Sequence, residues 1–531
     1  MKNYRNIYII LLLISAHFIF SSFSPVNEKL RLKIENISIT KQLSNTYNVY
    51  CIPSLREAYL INEFEAFWYN ESQIQQFIDI LSSSSKEGLN PEDYHYSELI
   101  SLRRSETNKL NFEILMSDAF LLYSSHLING KLNPKNIDPE WHVIKDEINP
   151  TPMLFKIKSN SVNQIIENIL PKNKNYTLLK NELSVLRQKE ATGRIEQIEK
   201  GDLIKMGMND SRIPAIRKRL IQLQYIEDNA ELDIYDEDLF NAIALFQIDY
   251  GLEAKGIIGN QTIGALNLTN EEKIEVIVAN MERMRWLPIS MPSYYIYVNI
   301  ANFNLDIIKN DTTIRSHKVI VGKTARQTPV FFSTMGYIVF NPTWTVPPTI
   351  LKNDMIPEVR KRVEYLNEKH ISVYNSSGDK LDPKSIDWKS NAVMGYTYRQ
   401  EAGVSNALGA VKFMFPNSFN IYLHDTPSRD LFEKTERAFS SGCIRVHNPL
   451  IMAEFLLSDS EKYSLKEINE IVKSGKTTSV ILREKPEVFL LYQTAWANNA
   501  GKVVYRIDIY KRDNALKNSL SSKPVYDVVV N

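Results

Sequence analysis

The sequence predicts a multidomain protein: an α-helical N-terminal domain, a small three-helix domain, and a mostly-β C-terminal domain that carries a long capping insertion. A chain of 531 residues exceeds what one hydrophobic core usually organises. The apolar residues follow helical spacing before about residue 270 and alternate with a strand period after residue 300. Lys plus Arg number 63 and Asp plus Glu 62, so the net charge of +1 is too small to attract nucleic acid or acidic lipid.

Residues 1–24 differ in kind from the rest of the chain. Lys2 and Arg5 precede an apolar run from Ile7 to Phe20, and small residues follow it. This order is typical of a secretory signal, and the run is short for a membrane span. We therefore expect an exported protein of the cell envelope or periplasm. Cleavage and retention as an inner-membrane anchor both remain open, because Pro25 is a poor residue after a cleavage site.

The two cysteines, Cys51 and Cys443, are too few for a disulfide framework. Their sequence contexts differ, which disfavours a Cys51–Cys443 bridge as the alternative. We expect Cys443 to have a chemical role, and the sequence gives no role to Cys51.

Residues 30–199 are predicted to form a helical scaffold domain without a catalytic cluster. Helical spacing is clearest in two runs of apolar residues, Ile74, Phe77, Ile78, Leu81 and Phe112, Leu115, Ala119, Leu122. Turns are expected at Gly88–Pro91 and Gly130–Pro134.

Residues 200–270 are predicted to form a unit of three helices. Apolar residues at helical spacing mark the first two helices, Ile213, Ile216, Leu220, Leu223 and Leu239, Ala242, Ile243, Phe246. Ser211 is the expected N-cap of the first helix, and Asn260 or Thr262 is expected to begin the third. A helical junction is expected over 271–290.

Residues 291–485 are predicted to form the mostly-β domain. Residues 301–307 alternate between apolar and polar side chains, Asn310 and Asp311 can turn the chain, and His317–Gly322 can return as a second strand. Further strands are expected at 336–340, 410–415 and 420–423. Residues 345–405 interrupt them with polar turns and one helix-like piece at 356–366. A loop of this length is usually functional, so we expect a lid over a site. Residues 486–531 form a C-terminal extension.

Cys443 follows Gly442 and lies nineteen positions after His424. A thiolate is a strong nucleophile, and an imidazole can take its proton and later return it to a leaving amine. A glycine beside the nucleophile lets backbone N–H groups approach an oxyanion. The three residues point to acyl transfer through a thioester, although a cysteine is often only a small buried apolar residue.

The motif around these residues resembles the L,D-transpeptidase signature. The matching residues are His424, Ser440, Gly442, Cys443, Arg445 and Asn448. Ser441 stands where most of the family has His. The large multidomain branch of the family is similar to this sequence in that respect. Residues 200–270 resemble the peptidoglycan-binding domain, with Lys255 in place of its usual Asp. Residues 280–288 and the tail at 494–513 are also similar to that branch.

The resemblance implies an enzyme that cross-links peptidoglycan, the wall polymer that sets cell shape, and that needs no cofactor. Cys443 would attack the carbonyl between the third and fourth residues of a donor tetrapeptide stem and release D-Ala, with His424 as base and then acid. The side-chain amine of an acceptor stem would capture the thioester in a 3→3 cross-link. Carbapenems would acylate the same thiol. His447 lacks companion ligands, so no metal is expected.

The remaining site residues take roles from the same resemblance. The backbone carbonyl of Asp425 would orient His424, with its carboxylate as the alternative. The amides of Gly442 and Cys443, joined by Tyr422, would stabilise the oxyanion. Arg445 would hold a charged group of the stem peptide or brace the Cys443 loop. The other substrate-binding candidates are Trp344, Ser441 and Asn448, with Tyr337 as a further aromatic of the cleft.

Two rival functions follow from the same sequence. Water or a free D-amino acid as acyl acceptor would make the chain a carboxypeptidase or an exchange enzyme. A non-catalytic peptidoglycan-binding scaffold is the rival of a different class, although a scaffold needs none of Cys443, His424 and Arg445. Expected partners are stem peptides, glycan and cell-wall synthesis proteins, with the membrane involved only through an uncleaved N-terminus.

Overall fold

The computed structural model describes residues 25–44, 46–190, 195–227, 233–459 and 461–525. The predicted signal segment 1–24 lies outside these residues. Among the described residues, no helix is long and apolar enough to cross a membrane.

The N-terminal domain is helical, as predicted. Its helices are Pro25–Thr40, Ile52–Ile61, Glu71–Ser82, Tyr96–Arg103, Lys109–Asn129, Pro134–Ile137, Thr151–Lys156, Val162–Ile169 and Lys174–Glu190, and its short strands are β1 (Gln42–Leu43) and β2 (Tyr47–Asn48). The helix Lys109–Asn129 is buried along almost its whole length, and both apolar and polar side chains are among its buried residues. The carboxylate of its buried Asp118 accepts hydrogen bonds from the backbone N–H groups of Tyr50 and Cys51, so it satisfies buried backbone donors.

The three-helix domain consists of Ile213–Gln222, Glu237–Asp249 and Asn260–Leu266. The third helix begins at Asn260, one of the two predicted starts. The predicted cap by Ser211 is wrong: the helix begins at Ile213, and Asp210 Oδ1 accepts the N–H of Arg212 at 2.9 Å. A cap at Ser211 would accept the N–H of Ile213 or of residue 214, but Pro214 has no N–H and that of Ile213 donates to the carbonyl oxygen of Asp210 at 3.0 Å.

A helix over Asn270–Arg285 joins the domains and begins with a capping box between Thr269 and Glu272. Its last turn buries three charged residues, and each has a partner. Glu282 pairs with Arg285 at 2.9 Å, and Arg283 pairs with Asp513 of the C-terminal extension at 2.7 Å. Buried charges at a junction are tolerated only when paired in this way.

The C-terminal half contains one large sheet, a separate small sheet in the insertion and a final hairpin. The strands are β3 (Tyr294–Asn299), β4 (Asn304–Lys309), β5 (Thr312–Gly322), β6 (Phe331–Thr334), β7 (Tyr337–Phe340), β8 (Trp344–Thr345), β9 (Ile371–Tyr374), β10 (Lys380–Leu381), β11 (Thr397–Gln400), β12 (Val411–Met414), β13 (Leu423–His424), β14 (Ala438–Ser440), β15 (Ile444–Val446), β16 (Thr478–Ile481), β17 (Glu487–Leu491), β18 (Ala495–Ala497) and β19 (Val503–Tyr505). The large sheet has the order β16-β7-β12-β13-β15-β5-β4-β3-β17-β6, with β14 parallel to β5. The helices Pro449–Leu456 and Leu465–Lys473 lie between β15 and β16 in the chain.

The first predicted strand is only partly right. It begins at Asn304, and residues 301–303 form a buried turn in which Phe303 has φ 55°. The strand β3 was not predicted. The turn at Asn310 and Asp311 is confirmed, since both residues adopt positive φ.

The insertion at 345–405 is a folded subdomain and not a polar loop. It has a sheet in the order β10-β9-β11-β8 and its own apolar core, which includes Leu366, Val373 and Tyr398. Its helical segments are Pro348–Ile350, the π-helical Leu351–Met355, Ile356–Lys361 and Tyr365–Glu368, so the predicted helix over 356–366 is interrupted. Strands of two to four residues are too short to show alternation in the sequence. We call residues 345–405 the cap, and its role as a lid stays a prediction.

The C-terminal extension shares a sheet and a hydrophobic core with the domains before it, which was not predicted. The strand β17 is an interior strand of the large sheet, parallel to β3, so that sheet continues beyond residue 485. Ala495 and Tyr505 then join the core of the three-helix domain, and the chain ends in a helix over Asp513–Leu520. Cys51 and Cys443 are both free, so the alternative of a bridge between them is excluded.

Candidate active site

Neighbouring strands bring the predicted catalytic residues to the same part of the large sheet. The strand β13 runs parallel to β15, with His424 opposite Arg445, and Cys443 directly precedes β15. On the other side of β13, Lys412 of β12 is opposite His424. Residues opposite each other on adjacent strands share a face of the sheet, so Lys412, His424 and Arg445 form a row beside Cys443.

One hydrogen bond fixes the tautomer of His424. Its Nδ1 lies 2.5 Å from the backbone carbonyl oxygen of Asp425, and since a carbonyl only accepts, Nδ1 carries the proton. The lone pair is therefore on Nε2. Burial, followed by the positive charge of Arg445, lowers the pKa of His424 to about 3. At neutral pH the ring is thus an uncharged base with a free nitrogen.

The carboxylate of Asp425 lies elsewhere. It accepts the N–H of Ala410 at 2.9 Å and pairs with Arg429 at 3.3 Å. Gly409 approaches so closely that a Cβ there would lie 2.4 Å from Asp425 Oδ2. Of the two expected ways for Asp425 to orient His424, the structure has the backbone carbonyl.

The Cys443 thiol is partly accessible, and its Sγ lies 3.5 Å from the carbonyl oxygen of Asn420. Burial raises the pKa of Cys443 to about 11, while hydrogen bonds from Tyr422 and the charge of Arg445 act in the opposite direction. The resting thiol is therefore protonated. A nucleophile in this state needs a base at the moment of attack.

The tight loop before Cys443 depends on Ser440 and Gly442. Ser440 Oγ accepts the N–H of Gly442 at 3.1 Å and donates to the carbonyl oxygen of Cys443 at 2.5 Å. Gly442 has φ 117°, a conformation that side chains disfavour. The N–H of Gly442 thus already donates to Ser440, and its expected role at an oxyanion stays a prediction. The N–H of Cys443 has no acceptor in the part of the chain that the structure describes.

A cavity of about 260 Å³ lies between the cap and the large sheet. Trp344 and Tyr365 line it from the cap side, and Thr426 and Arg445 line it from the sheet. The Arg445 guanidinium makes no ion pair with any described residue, and its buried Nε has no hydrogen-bond partner. Arg445 therefore faces the cavity and does not brace the Cys443 loop.

Comparisons with known proteins give the class of the domain that carries these residues. Residues 293–480 match the family model of the L,D-transpeptidase catalytic domain. The chain carries an L,D-transpeptidase catalytic domain. Residues 53–183 match a scaffold domain, and residues 209–266 match a family provisionally described as a peptidoglycan binding domain. Each match lies inside one of the expected domains, whose boundaries stay predictions.

Similar proteins carry related names. A Haemophilus influenzae protein provisionally named an L,D-transpeptidase is 37% identical over 262 residues, 48% of this chain and 53% of the relative. The chain thus spans about half the length of this relative. A solved L,D-transpeptidase from Stackebrandtia nassauensis is 11% identical, with a TM-score of 0.23, and covers 58% of this chain and 98% of its own. One from Xylanimonas cellulosilytica is 15% identical, with a TM-score of 0.17, and covers 55% and 99%.

The remaining predicted residues of the L,D-transpeptidase domain are less central. Ser441 is exposed and accepts a hydrogen bond at 3.0 Å from Arg326, whose guanidinium pairs with Asp354 of the cap. Asn448 has φ 51° and precedes the helix Pro449–Leu456, outside the lining of the cavity. Tyr337 begins β7 and is also absent from the lining. No group of metal-binding side chains occurs among the described residues, so His447 has no companion ligands there.

Tyr422 and Lys412 complete the surroundings of Cys443. The Tyr422 ring meets His424 edge-on at 5.7 Å, and burial followed by the nearby Cys443 raises the pKa of its hydroxyl. Lys412 Nζ lies 5.8 Å from the centre of the Tyr422 ring, and burial lowers the pKa of Lys412. Lys412 was not predicted, although its place between the apolar Val411 and Phe413 marks the opposite face of that strand.

Proposed function

We propose that this chain is a cysteine-dependent L,D-transpeptidase that forms 3→3 cross-links in peptidoglycan. The observation that carries the proposal is the bond from His424 Nδ1 to the Asp425 carbonyl, because it leaves a neutral Nε2 as base in the strand beside Cys443. The matched catalytic domain supplies the reaction class, and the site supplies a nucleophile, a base and an unused N–H.

In the first half-reaction, the Cys443 thiol gives its proton to His424 Nε2 as Sγ attacks the carbonyl carbon of the third stem residue. The N–H of Cys443 and the Tyr422 hydroxyl stabilise the negative oxygen of the tetrahedral intermediate. The C–N bond to D-Ala then breaks, and the imidazolium returns its proton to the leaving amine. The products are a thioester on Cys443 and free D-Ala.

In the second half-reaction, the side-chain amine of an acceptor stem attacks the thioester carbonyl. His424 takes one proton from this amine, the C–S bond breaks, and the sulfur recovers the proton from the imidazolium. A new amide joins two third residues. His424 is unprotonated when the acceptor arrives, because it has already given its proton to the leaving D-Ala amine.

The charges of the site favour an anionic substrate. Neither Lys412 nor Arg445 forms an ion pair with a described residue, although burial disfavours their charged forms. A partly buried cation without a charge partner gains free energy by meeting a carboxylate. Peptidoglycan stems carry several carboxylates, and the planar guanidinium of Arg445 can bind one through two hydrogen bonds.

The other domains support a location in the cell envelope. The three-helix domain would hold the wall polymer, and the scaffold domain would set its distance from the catalytic sheet. Further partners in wall synthesis belong to the same proposal.

The decisive experiment incubates the purified protein with disaccharide-tetrapeptide and analyses the products by mass spectrometry. We expect loss of D-Ala and a 3→3 dimer, and a carbapenem adduct on Cys443 in a parallel sample. Cys443→Ala should abolish all three, and Cys51→Ala should change none, because Cys51 lies in the core of the helical domain.

Other products would revise the proposal in defined ways. Tripeptide without dimer would indicate a carboxypeptidase, and a changed fourth residue in the presence of a D-amino acid would indicate an exchange enzyme. Folded protein that binds insoluble peptidoglycan but gives neither product nor adduct would refute the catalytic proposal in favour of a scaffold.

A further inference from the structure

The peptide unit between Gly442 and Cys443 is held from its interior side. The hydroxyl of Thr328 donates to the carbonyl oxygen of Gly442 at 2.8 Å, and Thr328 is fully buried. A peptide unit is planar and, in the trans form, its C=O and N–H point in opposite directions. Because the C=O is tied to the interior, the N–H of Cys443 points away from it.

Thr328 is itself fixed by a residue of the C-terminal extension. The Tyr510 hydroxyl accepts the N–H of Thr328 at 3.3 Å and donates to the carbonyl oxygen of Gly322. The N–H of Gly322 in turn donates to Thr328 Oγ1 at 2.9 Å. The Thr328 hydroxyl therefore accepts from one side and must donate to Gly442, which sets the direction of its proton.

Tyr510 is packed between two neighbouring side chains. Its ring stacks on Tyr492 at 5.5 Å, and Arg512 lies 4.9 Å from its centre. Arg512 also donates to the side chain of Gln327 at 2.7 Å. The segment over 508–512 thus contacts residues 327–328, which lie on the interior side of the Cys443 loop.

We propose that Thr328 and Tyr510 are positioning residues that aim the N–H of Cys443 at the oxyanion of the reaction. They touch no substrate and act through the Gly442–Cys443 peptide unit. The C-terminal extension is then part of the catalytic apparatus, although it lies outside the matched catalytic domain. This inference rests on the proposed function, since it assigns an oxyanion donor to acyl transfer on Cys443.

The test separates acylation, which needs an oxyanion donor, from alkylation, which does not. Wild type and variants are exposed to a carbapenem and, separately, to iodoacetamide, and the rate of each Cys443 adduct is followed by intact mass. Removing one oxyanion donor typically costs about 10²- to 10³-fold. We expect Thr328→Val to slow acylation on the order of 100-fold and Tyr510→Phe about tenfold, with alkylation changed less than about threefold.

Two further variants control for folding. Thr328→Ser retains the hydroxyl and should restore most of the acylation rate. Tyr235→Phe removes an equivalent buried bond, from a tyrosine hydroxyl to the carbonyl of Gly256, in the three-helix domain. It should leave both rates unchanged. If Thr328→Val does not fold, Tyr510→Phe and Thr328→Ser carry the same comparison.

Equal losses of acylation and alkylation would mean general damage to the loop and would overturn the inference, as would unchanged acylation in Thr328→Val. A wild-type protein that is alkylated but never acylated by carbapenem or tetrapeptide would instead refute the proposed function, and the inference with it.

Discussion

Substitution of Gly442 by Ala adds one methyl group and should show how backbone strain in the Cys443 loop affects stability and reaction rate. Its φ of 117° lies where side chains are strained, and a Cβ would lie 3.3 Å from Cδ1 of Ile421, which is the flexible end of a side chain. The steric contact can relax, so the backbone dominates. A non-glycine residue held in such a conformation costs about 1–3 kcal/mol.

That cost has two measurable consequences in Gly442→Ala. If the loop keeps its shape, the catalytic domain loses about 1–3 kcal/mol, or a melting temperature lowered by roughly 2–12 °C for a domain of this size. If the loop relaxes, the productive loop is depopulated by roughly 5- to 150-fold, and acylation slows by that factor. Both effects come from the same strain energy of the backbone. A variant that loses much of its acylation rate should therefore show only a small fall in melting temperature.

The assay combines thermal unfolding with the rate of Cys443 acylation by a carbapenem. Gly378→Ala in a turn of the cap is the matched control, since Gly378 has φ 89° and no atom within 4 Å of its added Cβ. It should lose stability without losing acylation. Gly442→Ala with unchanged melting temperature and unchanged rate would refute the reasoning that strain holds this loop.

Four further outcomes follow from the row of charges and from the tautomer of His424. Arg445→Met and Lys412→Met should each raise KM for disaccharide-tetrapeptide about tenfold with less effect on iodoacetamide alkylation, whereas equal effects on both would exclude a binding role. Because burial and Arg445 lower the pKa of His424 to about 3, its neutral form should persist far below pH 6.5, and Arg445→Met should move the acid limb of kcat/KM to higher pH. The unfolded chain binds the His424 proton more readily, so stability from this residue is full above pH 6.5 and is lost as pH falls toward 3, which denaturation at several pH values would check. Asp425→Asn should keep more than about a tenth of the activity, because its carbonyl orients His424, and a loss near 10⁴-fold would instead assign that role to its carboxylate.

Motifs of short sequence separation were predictable because neighbouring residues share one local structure. The spacing of apolar residues gave the helices at Glu71–Ser82 and Lys109–Asn129, and Asn310 with Asp311 gave the hairpin turn. Where the sequence failed, several weak signals competed. Ser211 resembled a cap, but Pro214 has no N–H to donate to it and the N–H of Ile213 donates to the carbonyl oxygen of Asp210. The strands of the cap are too short to show a period.

The sequence by itself determined the class of domain and predicted a nucleophile and a base, since Cys443 and His424 belong to one motif of short sequence separation. Only the tertiary structure decided which groups serve them. The carbonyl of Asp425 and not its carboxylate faces His424, the Gly442 amide is consumed by Ser440, and Lys412 lies beside His424. Thr328 contacts Gly442 across 114 residues of sequence, and Tyr510 contacts Thr328 across 182 residues. The physical reason is that hydrogen bonds and charges act over a few ångströms in space, and sheet pairing brings such residues together without leaving a pattern along the chain.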